Sequence, residues 1–503
     1  MQKKARKEVS KVDYRLLYKK EISDFLESLS KKEYTLWQMD ESMKKLFSMG
    51  EQVISVCLAK LRENNETLAP VACYALEFAN DYRIVEPLMD ILITPSISDK
   101  IKARIIAVLS HYGVDARDLP LELIMKDFDK MASDSMDEML ADLEKDYFLL
   151  LYILGDLEDF PLDMKLTYIK DIGEQKNEKA VNMLEVIATI DDLPVAQEAV
   201  KALGKIKSGK ALYALQKLLN SVSNEALKKI IFREAQRLKF RGIEPIPYTS
   251  PVILEKPVKV VVSSIDGLGS RALWIAWRNP QKARKLVSMN LLINSREGIK
   301  DCMGMSQIST REFNSTIKDL AKTAVIFECD FDYALTLIRD ALYHNQMTGM
   351  EIPYQFYCWK QLLEHQYNLT PQLFVPNFEN YDLDFIKNDE EILKKCFDLF
   401  DYPIFDDWFI AEPRVYDYAE EYKSKKGYMI KKMTSSRAEK LFSRFTKELI
   451  EPHADMFKRM LELTASFLDH AGQTELVKIV LSALLHMDMS PLYYHPFIQR
   501  MVI

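Results

Sequence analysis

A closely spaced glycine pair, seven histidines and six cysteines mark where this 503-residue chain could carry chemistry. Gly267-Leu268-Gly269-Ser270-Arg271-Ala272 follows the apolar run from Val258 to Ile265 and fits G-x-G-x-x-A, a loop whose amides cradle a pyrophosphate when a helix comes next. Here Trp274 and Trp277 favour a strand, and Asn279-Pro280 closes the segment too early for a dinucleotide-binding helix. The glycines are therefore expected in a hairpin turn, with Gly267 at positive φ. His453 lies near Glu451 and Asp455, His470 follows Asp469 and His486 precedes Asp488, but none has the HExxH spacing that puts two ligands on one helical face. His486 is expected at a helix end with its ring satisfied, and His495, in YYHPF, in an aromatic cap. Cys57, Cys73, Cys302, Cys329, Cys358 and Cys396 contain no CxxC pair, which fits reduced, mostly buried thiols of a cytoplasmic protein. With no Gly-rich Lys-Ser/Thr loop and no G-x-S-x-G elbow, the chain offers no catalytic, cofactor-binding or metal-binding residues, and an enzyme is not the expected class.

Charge is the remaining signal. From Pro376 to Glu412 eleven acids face three lysines, and from Lys423 to Lys447 nine bases face one acid, in a chain whose net charge is only −7. Lys423, Lys425, Lys426, Lys431, Lys432, Arg437, Lys440 and Arg444 are the partner-binding candidates, interleaved with Tyr428, Phe442 and Phe445. Either the two stretches compensate each other, or the basic one faces an acidic protein or nucleic-acid phosphates. The acidic stretch is rich in rings, from Phe378 through Trp408 and Phe409, which are expected to anchor a core beneath an acidic surface.

The elements that would position these residues come from a repeat. KDIGEQKNEKAVNML at 170–184 recurs 31 positions later as KALGKIKSGKALYAL, matching at Lys170/Lys201, Gly173/Gly204, Lys176/Lys207, Lys179/Lys210, Ala180/Ala211 and Leu184/Leu215. Val195, Ala199, Ala202, Leu203 and Ile206 make one helical stripe; Ala211, Leu212, Leu215, Leu218 and Leu219 make a second after the break at Ser208-Gly209. A helix pair that is apolar on two sides must stack on its neighbours. Small residues at Ala199, Ala202 and Gly204 allow close helix approach, and Gly204 is placed near a helix end, where positive φ would cost it nothing.

The pattern from Pro194-Val195 through Ala199, Ala202-Leu203-Gly204 and Ile206 to Ala211 and Leu215 resembles the HEAT family, especially its phycobilin-lyase-like branch. A further copy fits upstream, with Pro70-Val71 and Ala75 answering Pro194-Val195 and Ala199, and Pro87-Leu88 with Ile91 answering Ala211-Leu212 with Leu215. The resemblance implies stacked helix pairs over roughly residues 35–245 and an elongated binding surface, and its lyase-like branch implies a bilin-lyase or chaperone role. The Asp and Arg that ladder along such a groove have no counterpart at Ala196, Gln197 or Lys207-Ser208.

Beyond the array, IEPIPYTSPVILEKP at 243–257 has four prolines and no helical period, and marks a boundary. Three strand-like runs follow, 258–265, 272–277 and 286–293, and helices resume with capping boxes at Ser309/Glu312 and Ser436/Glu439. The fold class is thus mainly α: an N-terminal α-solenoid of HEAT-like helix pairs, then an α+β C-terminal domain with a small antiparallel sheet and helices. The divisions are a basic N-terminal segment and first helix at 1–34, the solenoid at 35–245, the meander at 258–308 and a helical domain at 309–503 packed with it. With 48% hydrophobic and 28% charged residues the chain can bury large cores, its longest apolar run, Tyr147 to Leu154, is too short for a membrane span, and its basic N-terminus lacks the apolar core of a secretory signal. The function these features favour is a non-enzymatic protein-binding or scaffold module; nucleic-acid binding is the alternative, and a membrane is not expected among its partners.

Overall fold

Helices form where the sequence repeats its apolar stripes, and the chain divides into two compact units at Met139/Leu140. The computed structural model describes residues 14–31, 34, 36–50, 52–115, 118–248, 252–410, 412–422, 424–426, 429–431 and 435–502.

The first unit holds α1 (Tyr14–Ser30), α2 (Leu36–Phe47), α3 (Gln52–Arg62), α4 (Ala69–Ala79), α5 (Val85–Leu92), α6 (Asp99–His111) and the short α7 (Leu121–Ile124), and the boundary falls within α8 (Phe128–Lys145). Its core runs through Ile22, Leu26, Leu46, Leu61, Ala72, Leu76, Leu88, Ile105 and Leu109. The upstream repeat copy is visible here: Pro70 lies in the first turn of α4, and Ala75, Leu88 and Ile91 are buried.

The second unit opens with α9 (Leu149–Asp159), α10 (Leu162–Gln175), α11 (Val181–Ile187), α12 (Leu193–Lys205), α13 (Gly209–Ser221) and α14 (Glu225–Phe240). α10 packs on α12 and α12 on α14, while α11 packs on α13, as stacked pairs require. Leu203 and Leu215 are fully buried. α10 stops at Lys176, left-handed at φ 53°, and Asn177 then accepts the N–H of Lys179 at 3.1 Å, starting a 3-10 turn that leads into α11. The first unit makes the same turn with Asn80 at φ 44° and Asp81 accepting from Arg83 N at 3.0 Å. The later copy departs from it, because Ser208 caps α13 directly through Ala211 N at 3.1 Å. Gly204 is not left-handed, contrary to expectation. A Cβ on Gly173 would lie 2.7 Å from that of Ala202, and one on Gly204 would lie 2.5 Å from Glu234 Oε2, so both glycines serve close helix crossings.

The three strand-like runs fall on β1 (Lys259–Ser263), β2 (Ser270–Arg278) and β3 (Leu286–Asn294). β4 (Gly298–Ile308) and β5 (Ile326–Glu328) complete an antiparallel sheet in the order β4-β3-β2-β1-β5. Trp274 packs on Phe313 of α15 (Thr310–Leu320), whereas Trp277 stacks on Trp359, so the sheet is covered on both faces. The covering helices of the second face are α16 (Phe331–Thr348) and α17 (Tyr354–Glu364). The Ser309/Glu312 capping box is formed, with both reciprocal bonds present. In the glycine-rich turn the left-handed residue is Gly269, at φ 82°, rather than Gly267. Gly267 is needed for another reason: a Cβ there would lie 2.5 Å from Asp407 O and from Phe409 N.

The remainder is helical: α18 (Leu383–Asn388), α19 (Glu390–Lys395), α20 (Val415–Tyr422), α21 (Ser435–Phe445), α22 (Ala454–His470), α23 (Thr474–Leu485) and α24 (Pro496–Val502). A hairpin of β6 (Ser424–Lys426) and β7 (Met429–Lys431) lies between α20 and α21. Ser436 falls inside the first turn of α21 rather than ahead of it. His486 ends α23 with Nδ1 2.8 Å from Ser482 O. His495 is fully buried, packs beside Phe497, and places Nε2 2.9 Å from Ala483 O. Of the rings in the acidic stretch, Tyr381, Phe405 and Trp408 are buried, but Phe385, Tyr402 and Phe409 are exposed.

Candidate interaction surface

The side of the array formed by α11 and α13 carries a buried carboxylate. Glu185, on α11, is 4% exposed, and its Oε1 receives Lys217 Nζ of α13 at 2.6 Å. Its Oε2 receives the hydroxyl of Tyr248, whose ring meets Tyr213 with centroids 5.6 Å apart and lies under Lys217 Nζ at 5.7 Å. Burial, then the charge of Glu185, pushes the Tyr248 phenol far above its ordinary value, so it stays protonated and donates.

Beside this pair opens a groove of about 630 Å3, walled by the α11–α12 loop, the α13–α14 loop and α17. Its groups suit recognition: helix-end backbone, the amides of Asn220, Asn224 and Gln361, and the charges of Lys360 and Glu364. α17 is fixed to the array by specific bonds. Asp191 N donates to Tyr357 Oη at 3.1 Å, Tyr354 Oη donates to Asp192 Oδ2 at 2.7 Å and receives Lys165 Nζ at 3.2 Å, and Tyr354 N donates to Glu158 Oε2 at 3.0 Å. Burial and the neighbouring Asp191 raise the Tyr357 phenol as well.

Lysine–glutamate pairs tie successive repeats together. Lys179 reaches Glu144 at 2.8 Å, Lys205 reaches Glu174 at 2.9 Å and Lys210 reaches Glu178 at 2.9 Å. Lys179 and Lys210 are matched positions of the duplicated sequence, whereas their acceptors Glu144 and Glu178 are not one period apart, so the repeat supplies only the lysine of each pair.

The residues singled out from charge lie elsewhere. Lys423 and Lys432 fall outside the described residues. Lys425, Lys426 and Lys431 belong to the hairpin, in the register Lys425↔Ile430, Lys426↔Met429 and Ser424↔Lys431. Arg437, Lys440 and Arg444 are exposed on α21. Arg444 pairs with Glu421 of α20 and covers the Tyr418 ring at 5.1 Å. Asp401, in the acidic stretch, pairs with Arg500 at 3.1 Å. Among the described residues, no group of three or more His, Cys, Asp or Glu could hold a metal ion. Burial pushes the thiols of Cys57, Cys73, Cys358 and Cys396 up to about 12, which leaves them poor nucleophiles.

Sequence reasoning missed the groove because its walls, at 185–227 and 357–365, are far apart in the chain. It also took 243–257 for a mere boundary, although Val252 and Leu254 in that segment are buried. Aliphatic residues recurring among the prolines were the available signal.

A family model of HEAT repeats matches residues 150–232, which are α9 to the middle of α14. That match does not reach the lyase-like branch of the resemblance. No curated protein matches the chain. Among solved structures, human deoxyhypusine hydroxylase in complex with glycerol is similar at 13% identity, over 45% of this chain and 99% of that one, with a TM-score of 0.17, too low to transfer any feature. No described helix is long and apolar enough to cross a membrane.

Proposed function

Because residues 150–232 are HEAT repeats, we propose that this chain is a protein-interaction module or scaffold that receives its partner in the groove between the repeat loops and α17. The observation that carries this is the groove itself: about 630 Å3, lined by helix ends and amides and held open by α17. A peptide backbone needs such a mixture of donors and acceptors, and a helical-repeat surface supplies them from successive loops. The buried thiols accord with a cytoplasmic setting.

Affinity capture of the full chain from its source cells, read by cross-linking mass spectrometry, tests the proposal. The comparison is with a variant carrying Ser223→Trp and Glu364→Arg, both on the groove wall. A partner cross-linked to the groove and lost from the variant is expected; retention of every captured protein would remove the groove from consideration. Nucleic acid remains a second reading, favoured by the exposure of Arg437, Lys440 and Arg444 on α21. A mobility-shift series tests it, since phosphate binding should weaken steeply with salt.

A further inference from the structure

The segment after α14 is bonded along the surface of α13. From Ile243 it runs without regular secondary structure over α13, where Gly209, Tyr213 and Lys217 follow one another at intervals of four and so share a face. Ile246 N donates to Gly209 O at 3.0 Å, and a Cβ on Gly209 would lie 2.6 Å from Glu244 O, so the strap is pressed against the first turn of the helix. Tyr248 then packs on Tyr213 and gives its hydroxyl to Glu185. On the far side of 249–251 the strap is fastened again, with Leu254 buried and its carbonyl accepting Gln366 Nε2 at 2.6 Å.

Glu185 and Lys217 also line the open groove, so Tyr248 occupies its margin. A buried carboxylate with one oxygen on lysine and the other on a phenol is a selective socket. Without the hydroxyl, one oxygen of a desolvated charge loses its partner, which is far costlier than losing a hydrogen bond in water. The prolines at 245 and 247 hold the segment extended beforehand, which reduces the ordering cost of docking.

We propose that residues 243–248 are a built-in stand-in for the partner, and that the α11/α13 face recognises an extended, proline-containing peptide presenting a tyrosine hydroxyl to Glu185. This rests on the interaction-module reading and specifies its ligand. Tethered in the same chain, the strap outcompetes a free copy of itself because its effective concentration is high, so the partner engages when the strap lifts.

The test uses the full chain and a fluorescein-labelled synthetic peptide of residues 241–249, read by fluorescence anisotropy. Tyr248→Ala vacates the socket and should bind the peptide about tenfold or more tightly than wild type does. The same peptide with phenylalanine for its tyrosine should lose about tenfold on that variant, the share of a hydrogen bond to a charged acceptor. Should Tyr248→Ala not fold, Tyr248→Phe keeps the ring and surrenders only the hydroxyl, and must still gain peptide affinity over wild type. A folded variant that gains none, or one that binds both peptides equally, overturns the proposal. The assay needs no native partner: peptide binding without groove-dependent capture would sink the module reading alone, and capture without peptide binding would sink the strap alone.

Discussion

The junction of α10 with α12 and that of α12 with α14 are successive copies of one contact, filled in different ways. At the first, Gly173 meets Ala202, and two helices close on small apolar residues. At the second, the matched Gly204 meets Glu234, which is 2% exposed and receives Arg233 Nε at 3.1 Å and Arg237 Nη1 at 2.8 Å. Both arginines are themselves more than half exposed, at 61% and 56%. The same glycine thus serves a dry crossing inside the array and a charged one at its last helix, where the stack must give way to polar surface. Repeat arrays need such an end, because an apolar outer face would recruit further copies.

The largest effect should come from the core that α13 shares with α11, α12 and α14. Leu215→Ala should cost about 2–5 kcal/mol in urea unfolding of the full chain, and a loss below half a kcal/mol would show that α13 is not part of a shared core. A titration should separate the array from the helices that follow. Burial lowers His495 to about 4, while the unfolded chain titrates near 6.5. Stability is therefore intact above pH 6.5 and is lost as pH falls from there toward 4, by at most about 3 kcal/mol. Hydrogen exchange at pH 5 should rise around 483–497 in the wild type, relative to His495→Gln, and leave both junctions protected; an equal rise at the junctions would mean that the two parts unfold as one.

The junctions themselves are compared by alanine. Gly173→Ala puts a methyl 2.8 Å from the Ala202 Cα, a main-chain atom, and should cost about 1–3 kcal/mol by differential scanning calorimetry. Gly204→Ala puts a methyl 2.5 Å from Glu234 Oε2 and 2.9 Å from its Cβ, so it must displace a buried carboxylate held by two arginines as well as its stem, and should cost more than Gly173→Ala despite the regained helix propensity. Equal costs would erase the distinction. Smallest are the lysine rungs: Lys179→Ala and Lys210→Ala should each cost under about 1 kcal/mol, add when combined, and shrink in high salt, since both pairs are substantially exposed.

The repeat was legible because its period, its glycines and its leucines are written twice, and the three strand runs because Val258 to Ile265, Ala272 to Trp277 and Leu286 to Ile293 are apolar and bounded by turns. β4 escaped notice because GIKDCMGMSQI has β-branched residues only near its two ends, at Ile299 and Ile308; its Gly304 exists to admit Leu151 of α9, a contact no local pattern announces. β5 is three residues recruited by the open edge of β1 through Val261↔Glu328 and its neighbours. In the turn, two glycines stood in sequence for two needs, and only the structure shows that Gly269 takes the left-handed conformation while Gly267 clears the chain at 407–409. The groove and the Tyr248 socket depend on residues more than sixty positions apart, beyond the reach of any window.

The bonds from α17 to Glu158, Lys165, Asp191 and Asp192 have a mechanical consequence. A stack of helix pairs is a spring, since each repeat touches only its neighbours and small rotations accumulate along it. Here one rod is riveted across α9, α10 and the start of α12, so those coils cannot fan apart on the riveted side. Bending is left to the pair beyond the last rivet, α13 and α14, so Lys217 on α13 can shift against Glu185, which sits on α11 inside the riveted span.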